Sequence, residues 1–177
     1  MLGTKKLFLP ALLVCCAVLV MTLCACGGAP EEAPGEGVAV YILLPSPEAE
    51  VGAEFEARVC VEVEERGISA GEILLTFDAD TMEVVRIEPG DLLGSGPLVG
   101  LHEIDNQSGT VKYAIARVGS TSVPTPPGVF AILKFKVLES AESGTYELNL
   151  SKVGLADEEF EDIVGIEAEG ASIEVTS

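Results

Sequence analysis

Residues 54–63 read EFEARVCVEV, and this stretch decides the fold class because apolar side chains occupy every second position along it. Phe55, Ala57 and Val59 belong to the apolar series, whereas glutamate, arginine and cysteine fill the positions between. A period of two gives a strand one buried and one solvated face, as in antiparallel sheets. By the same parity, Cys60 is expected to point outward and to be partly exposed.

The same alternation recurs along the rest of the chain, in segments separated by turn-forming residues. Clear cases are residues 110–115, 131–137 and 146–150. Runs such as DNQSG at 105–109 and PTPPG at 124–128 supply the glycine, proline, asparagine and aspartate that turns favour. About nine short strands at this spacing predict an all-β protein, a two-sheet antiparallel β-sandwich or jelly roll.

Composition restricts the function classes. Of the 177 residues 29 are acidic and 10 basic, so the formal net charge is −19. This charge would repel a phosphate backbone, and we therefore predict no nucleic-acid partner. With a single His and few Cys, the chain has few side chains that could form a metal centre or a nucleophilic relay. We predict that the protein is not an enzyme, has no catalytic residues and carries neither metal nor cofactor.

The N-terminus is predicted to be an export and anchoring segment. Residues 1–25 form a lipoprotein signal peptide, with two lysines before an apolar run too short to span a membrane. The sequence LCAC at 23–26 resembles a bacterial lipobox, which implies that Cys26 becomes the acylated first residue. The alternative is a secretory signal peptide that is cleaved without lipidation.

The segment after the lipid-bearing cysteine separates the anchor from the fold. Residues 26–37 are mostly Gly, Ala, Pro and Glu, a composition typical of a disordered tether. About 140 residues remain, from 38 to 177, enough for one domain. We expect an exported lipoprotein at the bacterial cell envelope or surface, in contact with the membrane through its lipid only.

Four segments of the chain carry a resemblance to a known family. The first is GEILLTFDADTMEVVRIEPGDLL at 71–93, and the others lie at 105–116, 128–137 and 148–157. Together they resemble the cohesin domain, the receptor module that captures dockerin modules. Their order and spacing match over essentially all of 38–177. The resemblance implies a nine-stranded jelly-roll sandwich, related to carbohydrate-binding modules, whose outer face on one sheet accepts dockerin helices. Any Ca²⁺ would belong to the dockerin, which binds it through its own loops.

Strand parity and this resemblance together predict a partner-binding face with an apolar centre and a charged rim. The placement of Glu103 on this face depends on the register of its strand, because a one-residue slip would move its side chain to the opposite face of the sheet. An ordinary solvated sheet face would have the same composition, so that alternative stays open. The predicted face consists of Glu72, Leu74, Thr76, Glu103, Lys112, Ala114, Ala116 and Arg117.

The leading prediction is a non-catalytic surface lipoprotein that binds a dockerin-bearing protein, with polysaccharide degradation as the expected setting. Two alternatives remain. A carbohydrate-binding module would need exposed aromatic side chains, for which Tyr41 and Phe130 are the candidates. A structural or adhesive envelope domain would need neither a dockerin-bearing partner nor a carbohydrate ligand. The acidic run 157–162 lacks the regular spacing of a Ca²⁺ loop, which favours a solvated loop.

Overall fold

The computed structural model describes residues 37–63, 66–119 and 127–177, so the predicted signal peptide, Cys26 and nearly all of the tether lie outside it. Eleven strands are present, and no helix in these ranges is long and apolar enough to cross a membrane. The strands are β1 (Val38–Leu43), β2 (Glu48–Glu50), β3 (Glu54–Val63), β4 (Ala70–Thr76), β5 (Met82–Pro89), β6 (Leu98–Asp105), β7 (Thr110–Ala116), β8 (Gly128–Val137), β9 (Gly144–Ala156), β10 (Ile166–Glu169) and β11 (Ala171–Thr176).

The strands form two sheets that share one core. One sheet has five strands in the order β10-β1-β3-β8-β5, and the other has six in the order β2-β11-β9-β4-β7-β6. Consecutive strands lie in opposite sheets throughout, except for β6 and β7, which form a hairpin within the six-stranded sheet. The predicted all-β sandwich is confirmed.

Two details differ from the predicted nine antiparallel strands. The additional strands are short: β2 has three residues and β10 has four. Both pair in parallel, β2 with β11 and β10 with β1, and both lie at sheet edges. Segments this short cannot display a period of two, and brief edge strands are a common way to protect a sheet edge.

The core contains the side chains that the alternation directs inward. Phe55 stacks on Phe135 with ring centroids 5.2 Å apart, and Phe77 meets Phe135 edge-on at 5.5 Å. These contacts join β3, β8 and the end of β4, so the two sheets are held by one continuous apolar layer. The fully buried members from β3, β4, β7 and β8 include Ala57, Val59, Val61, Leu75, Val111, Leu133 and Val137.

Cys60 does not follow the prediction of partial exposure, because only 7% of its surface is accessible. The pairing of β3 with β8 is irregular between Val59 and Cys60, and Tyr41 of β1 lies directly opposite the cysteine. The break in register and the neighbouring ring together cover a position that simple parity assigns to solvent. Burial raises the pKa of the Cys60 thiol, as expected for an unreactive side chain.

Candidate functional site

The outer face of β9, β4, β7 and β6, here called the four-strand face, carries most of the predicted partner-binding residues. The register places Glu72 opposite Ala114 of β7 and Gly154 of β9. Leu74, two residues further along β4, lies between Lys112 and Lys152. Directly opposed residues share one side of a sheet, so the polar and apolar positions form rows across the four strands.

The uncertain register of β6 is resolved by its pairing with β7. Glu103 lies opposite Lys112, and the Lys112 Nζ to Glu103 Oε2 distance is 3.1 Å. Leu101 lies opposite Ala114, because the register shifts between Val99 and Leu101. Glu103 is therefore on the same face as the predicted residues of β7.

The lower part of the face is polar. Thr76 lies opposite Thr110, and its Oγ1 is 3.1 Å from the Oγ of Ser151. A register shift between Leu74 and Leu75 leaves Ser151 as an extra residue on β9. The apolar part of the face therefore begins at Leu74 and extends toward Ala116.

Arg117 lies beyond the end of β7 and turns away from the rows of the face. Its Nε donates to the Oγ of buried Ser69 at 2.8 Å, and its Nη1 donates to the Gly119 carbonyl at 2.8 Å. The guanidinium carbon lies 5.3 Å from the centre of the Phe160 ring. The structure thus brings seven of the eight predicted residues onto one face and places Arg117 at its end.

The charges beside Leu74 on the four-strand face are paired. Lys152 Nζ lies 2.6 Å from Glu72 Oε1, and Lys112 pairs with Glu103 as described above. Exposed pairs of this kind add little to stability. They do, however, leave this region locally neutral in a chain whose formal net charge is −19.

Beside the pairs lies an apolar groove with a volume of 310 Å³. Its floor is made of small residues from three adjacent strands, and one wall is Leu98 of β6, which is 62% exposed. The opposite wall is Asp162, which forms an antiparallel bridge with Ala156 at the end of β9. The small floor residues are Ala70, Ala114, Ala116, Gly154 and Ala156.

Sequence reasoning missed Leu98, Lys152, Gly154 and Ala156 as members of the face. The alternation of small residues at Gly154 and Ala156 was a usable signal, since these positions continue the outward series of β9. Lys152 could not be placed because the extra residue at Ser151 changes the parity of the strand. Leu98 required the β6 register, which the sequence left open.

Neither of the two aromatic residues considered for carbohydrate binding has a fully exposed ring. Phe130, a candidate for sugar stacking, is 1% exposed and packs against Tyr113. Tyr41 is half-buried and donates to Glu62 Oε1 at 2.8 Å, a bond that raises its pKa to about 12. Within the described residues, no group of three or more His, Cys, Asp or Glu side chains is arranged to hold a metal ion.

Comparisons with known proteins agree with this architecture. The cellulosomal-scaffolding protein A of Acetivibrio thermocellus is 31% identical over 107 residues, which cover 52% of this chain and 5% of that protein. A type II cohesin domain from the cellulosome of Acetivibrio cellulolyticus superposes with a TM-score of 0.67 at 18% identity, covering 77% of this chain and 95% of that one.

A second solved structure is the sixth cohesin of scaffoldin B from Acetivibrio cellulolyticus, in complex with a dockerin. It has a TM-score of 0.66 and 20% identity, and the match covers 79% of this chain and 99% of that one. The family model described as the cohesin domain matches residues 40–174, most of the chain. The chain therefore belongs to the cohesin domain family.

Proposed function

We propose that this protein is a non-catalytic receptor that binds a dockerin-bearing protein through its four-strand face. The observation that carries the proposal is the neutral, apolar-centred surface around Leu74 and Ala114 on an otherwise strongly acidic chain. Partner interfaces characteristically combine a core depleted of charge with a polar rim. The cohesin of scaffoldin B, which has the same fold, was solved in complex with a dockerin.

The face has the properties that a docked helix requires. Leu74 is half-buried between Lys112 and Lys152, and the alanines and glycine above it allow a partner backbone to approach closely. Lys112 and Lys152 pair with Glu103 and Glu72, so these rim charges are already paired when a partner arrives. An apolar side chain of the partner can then approach Leu74 without facing an unpaired charge beside it.

The proposal includes a location for the receptor. Lipidation at Cys26 would hold it at the bacterial envelope, and the Gly- and Pro-containing tether of 26–37 would keep the domain clear of the lipid. The partner would supply the activity, with degradation of polysaccharide as the proposed setting. The lipobox-like sequence at 23–26 supports this part of the proposal.

Capture of dockerin-bearing proteins tests the receptor function. The full chain, immobilised in detergent, is incubated with the secreted proteins of a bacterium that encodes dockerins, with Ca²⁺ and with a chelator. We expect dockerin-bearing proteins to be retained with Ca²⁺ and released by the chelator. Leu74→Asp should reduce their retention at least about tenfold, because it puts a charge at the centre of the interface.

Leu43→Asp is the matched control, since Leu43 is an exposed leucine at the end of β1 in the other sheet. It should retain its partners like the unmodified chain. Failure to recover any dockerin-bearing protein, or equal retention by both variants, would show that the proposed receptor function or its face is wrong.

Palmitate labelling tests the anchor. Cys26→Ser should abolish incorporation of the label and recovery in the membrane fraction, whereas Cys24→Ser should leave both intact. A chain that is still labelled after Cys26→Ser would contradict lipidation at this position.

A further inference from the structure

The groove on the four-strand face has two chemically different walls, and this difference bears on which partner can bind. Leu98 of β6 forms an apolar wall, whereas Asp162 forms a charged one on the far side of β9. The small floor residues between them lie in β7, β4 and β9. Any role of these walls in partner choice rests on the proposed dockerin-binding function. It adds to that proposal the chemical features that the dockerin has to present.

The dimensions of the groove suit a helix that directs one large side chain toward the floor. From β6 to Asp162 there are four inter-strand steps, roughly 19 Å in all. An α-helix with its side chains is about 10–12 Å wide and fits between such walls. The floor is apolar and only half-buried in the free chain, so an aliphatic side chain placed there would remove apolar surface from water.

The charged wall is not neutralised within the described part of the chain. No Lys or Arg there pairs with the Asp162 carboxylate, which is exposed at the rim of the groove. Glu72, the other acid that lines the groove, is already paired with Lys152. The Asp162 carboxylate is therefore available to pair with a cationic side chain of a partner.

The loop that carries Asp162 is held in a defined conformation. Asp157 Oδ1 accepts hydrogen bonds from the backbone N–H groups of Glu159 and Glu161, both at 3.0 Å. Phe160 adopts a φ of 64°, a left-handed conformation uncommon for a non-glycine residue, and its ring lies beneath Arg117. These contacts hold the loop in one conformation, in which the Phe160 ring is 55% exposed.

We infer that the partner places a large aliphatic side chain in the groove between Leu98 and Asp162, and a lysine or arginine beside Asp162. The first contact buries the apolar floor, and the second neutralises a carboxylate that has no ion pair among the described residues. A partner with an acidic residue at the second position would be repelled. The acidic loop at 157–162 is thereby assigned a role in partner choice, in place of simple solvation.

A display library of dockerin modules, randomised at exposed helical positions, tests this assignment and does not require the natural partner. The full chain in detergent is the selecting protein. We expect retained modules to be enriched in leucine, isoleucine or methionine at one helical position and in lysine or arginine at a neighbouring one. Asp162→Lys should reverse the second preference toward aspartate and glutamate, with changes of roughly two- to fivefold.

Glu159→Lys is the control for charge, because it changes the net charge of the same loop equally without altering the groove wall. It should preserve the enrichment in lysine and arginine. Ala116→Leu fills the groove and should weaken binding of the selected modules at least about tenfold. Ala39→Leu makes the same change on the outer side of β1 and should leave binding unchanged, and circular dichroism verifies that both variants fold.

The outcomes separate this inference from the function on which it rests. If modules are retained without these preferences, or if Asp162→Lys selects the same modules as the unmodified chain, the inference is wrong while dockerin binding stands. If the chain retains no dockerin module, the receptor function is wrong and the inference falls with it.

Discussion

At the scale of single residues, Asp105 organises the turn on which the β6 register depends. Its Oδ1 accepts hydrogen bonds from the backbone N–H groups of Gln107 at 2.9 Å and Ser108 at 3.1 Å. Hydrogen bonding by the Ser108 side chain, followed by these backbone bonds, lowers the pKa of the Asp105 carboxyl. The ionised form of the Asp105 carboxyl is therefore more strongly favoured in the folded chain than in the unfolded chain.

This lowered pKa predicts a stability change in acid. A carboxyl whose pKa is lower in the folded chain contributes stability above its unfolded pKa, about 4, and loses it as the pH falls through the folded value. Asp105→Asn should therefore flatten the decline in unfolding free energy below about pH 4. Urea denaturation of both chains across this range measures the effect, and an unchanged slope would contradict it.

The predicted side-chain directions agree with the structure where parity alone decides the environment, and the predictions differ from it where neighbours cover a side chain or where a side chain leaves its row. Glu72, Leu74 and Ala114 lie on the face that their alternation assigns to them. Cys60 keeps its outward parity opposite Tyr41, yet it is only 7% exposed because its neighbours cover it. Arg117 follows the last residue of β7, and its direction depends on Ser69, whose proximity no local pattern reveals.

At the scale of elements, the hairpin between β6 and β7 depends on a glycine. Gly109 has a φ of +66°, and a Cβ at this position would lie 2.1 Å from the Phe77 carbonyl oxygen. The Gly109 carbonyl also accepts the Phe77 N–H at 2.9 Å, so the turn is fixed against the end of β4. A side chain would have to displace backbone, which packed strands resist.

Gly109→Ala should accordingly lower the free energy of unfolding by about 2 kcal/mol or more, from backbone strain and the steric conflict together. Gly94→Ala is a matched comparison, because Gly94 has a φ of +73° but no atom within 4 Å of the position that an added methyl group would take. That substitution should cost about 1 kcal/mol. Equal losses in urea denaturation would show that the contact with Phe77 is not what requires glycine.

The strands that the sequence predicted are those long enough to display a period. β3, β7 and β8 have between seven and ten residues and show it clearly. β2 and β10 have three and four residues, so their pairing depends on long-range geometry. The bulge near Leu74 could not be predicted either, since an extra residue in one strand is visible only once its partner strand is known.

At the scale of the whole molecule, composition and the order of the strand segments were enough to predict two packed sheets. The formal net charge of −19 did not predict where the surface is neutral, because that depends on which lysines meet which glutamates across strands. The groove is likewise a property of the assembled sheet: Leu98 and Asp162 are far apart in sequence and become its opposite walls only in the fold.

The crossing of consecutive strands between the two sheets also has a consequence for biosynthesis. The four-strand face combines segments that start at Ala70 and end at Ala156, and β4 in its middle requires β9 as one neighbour. Until β9 has been synthesised, the nascent polypeptide can pair at most β4, β7 and β6 of these strands, and the face is incomplete. The proposed receptor would therefore become competent to bind its partner only near the end of translation, and a product terminated before β9 would lack the complete face.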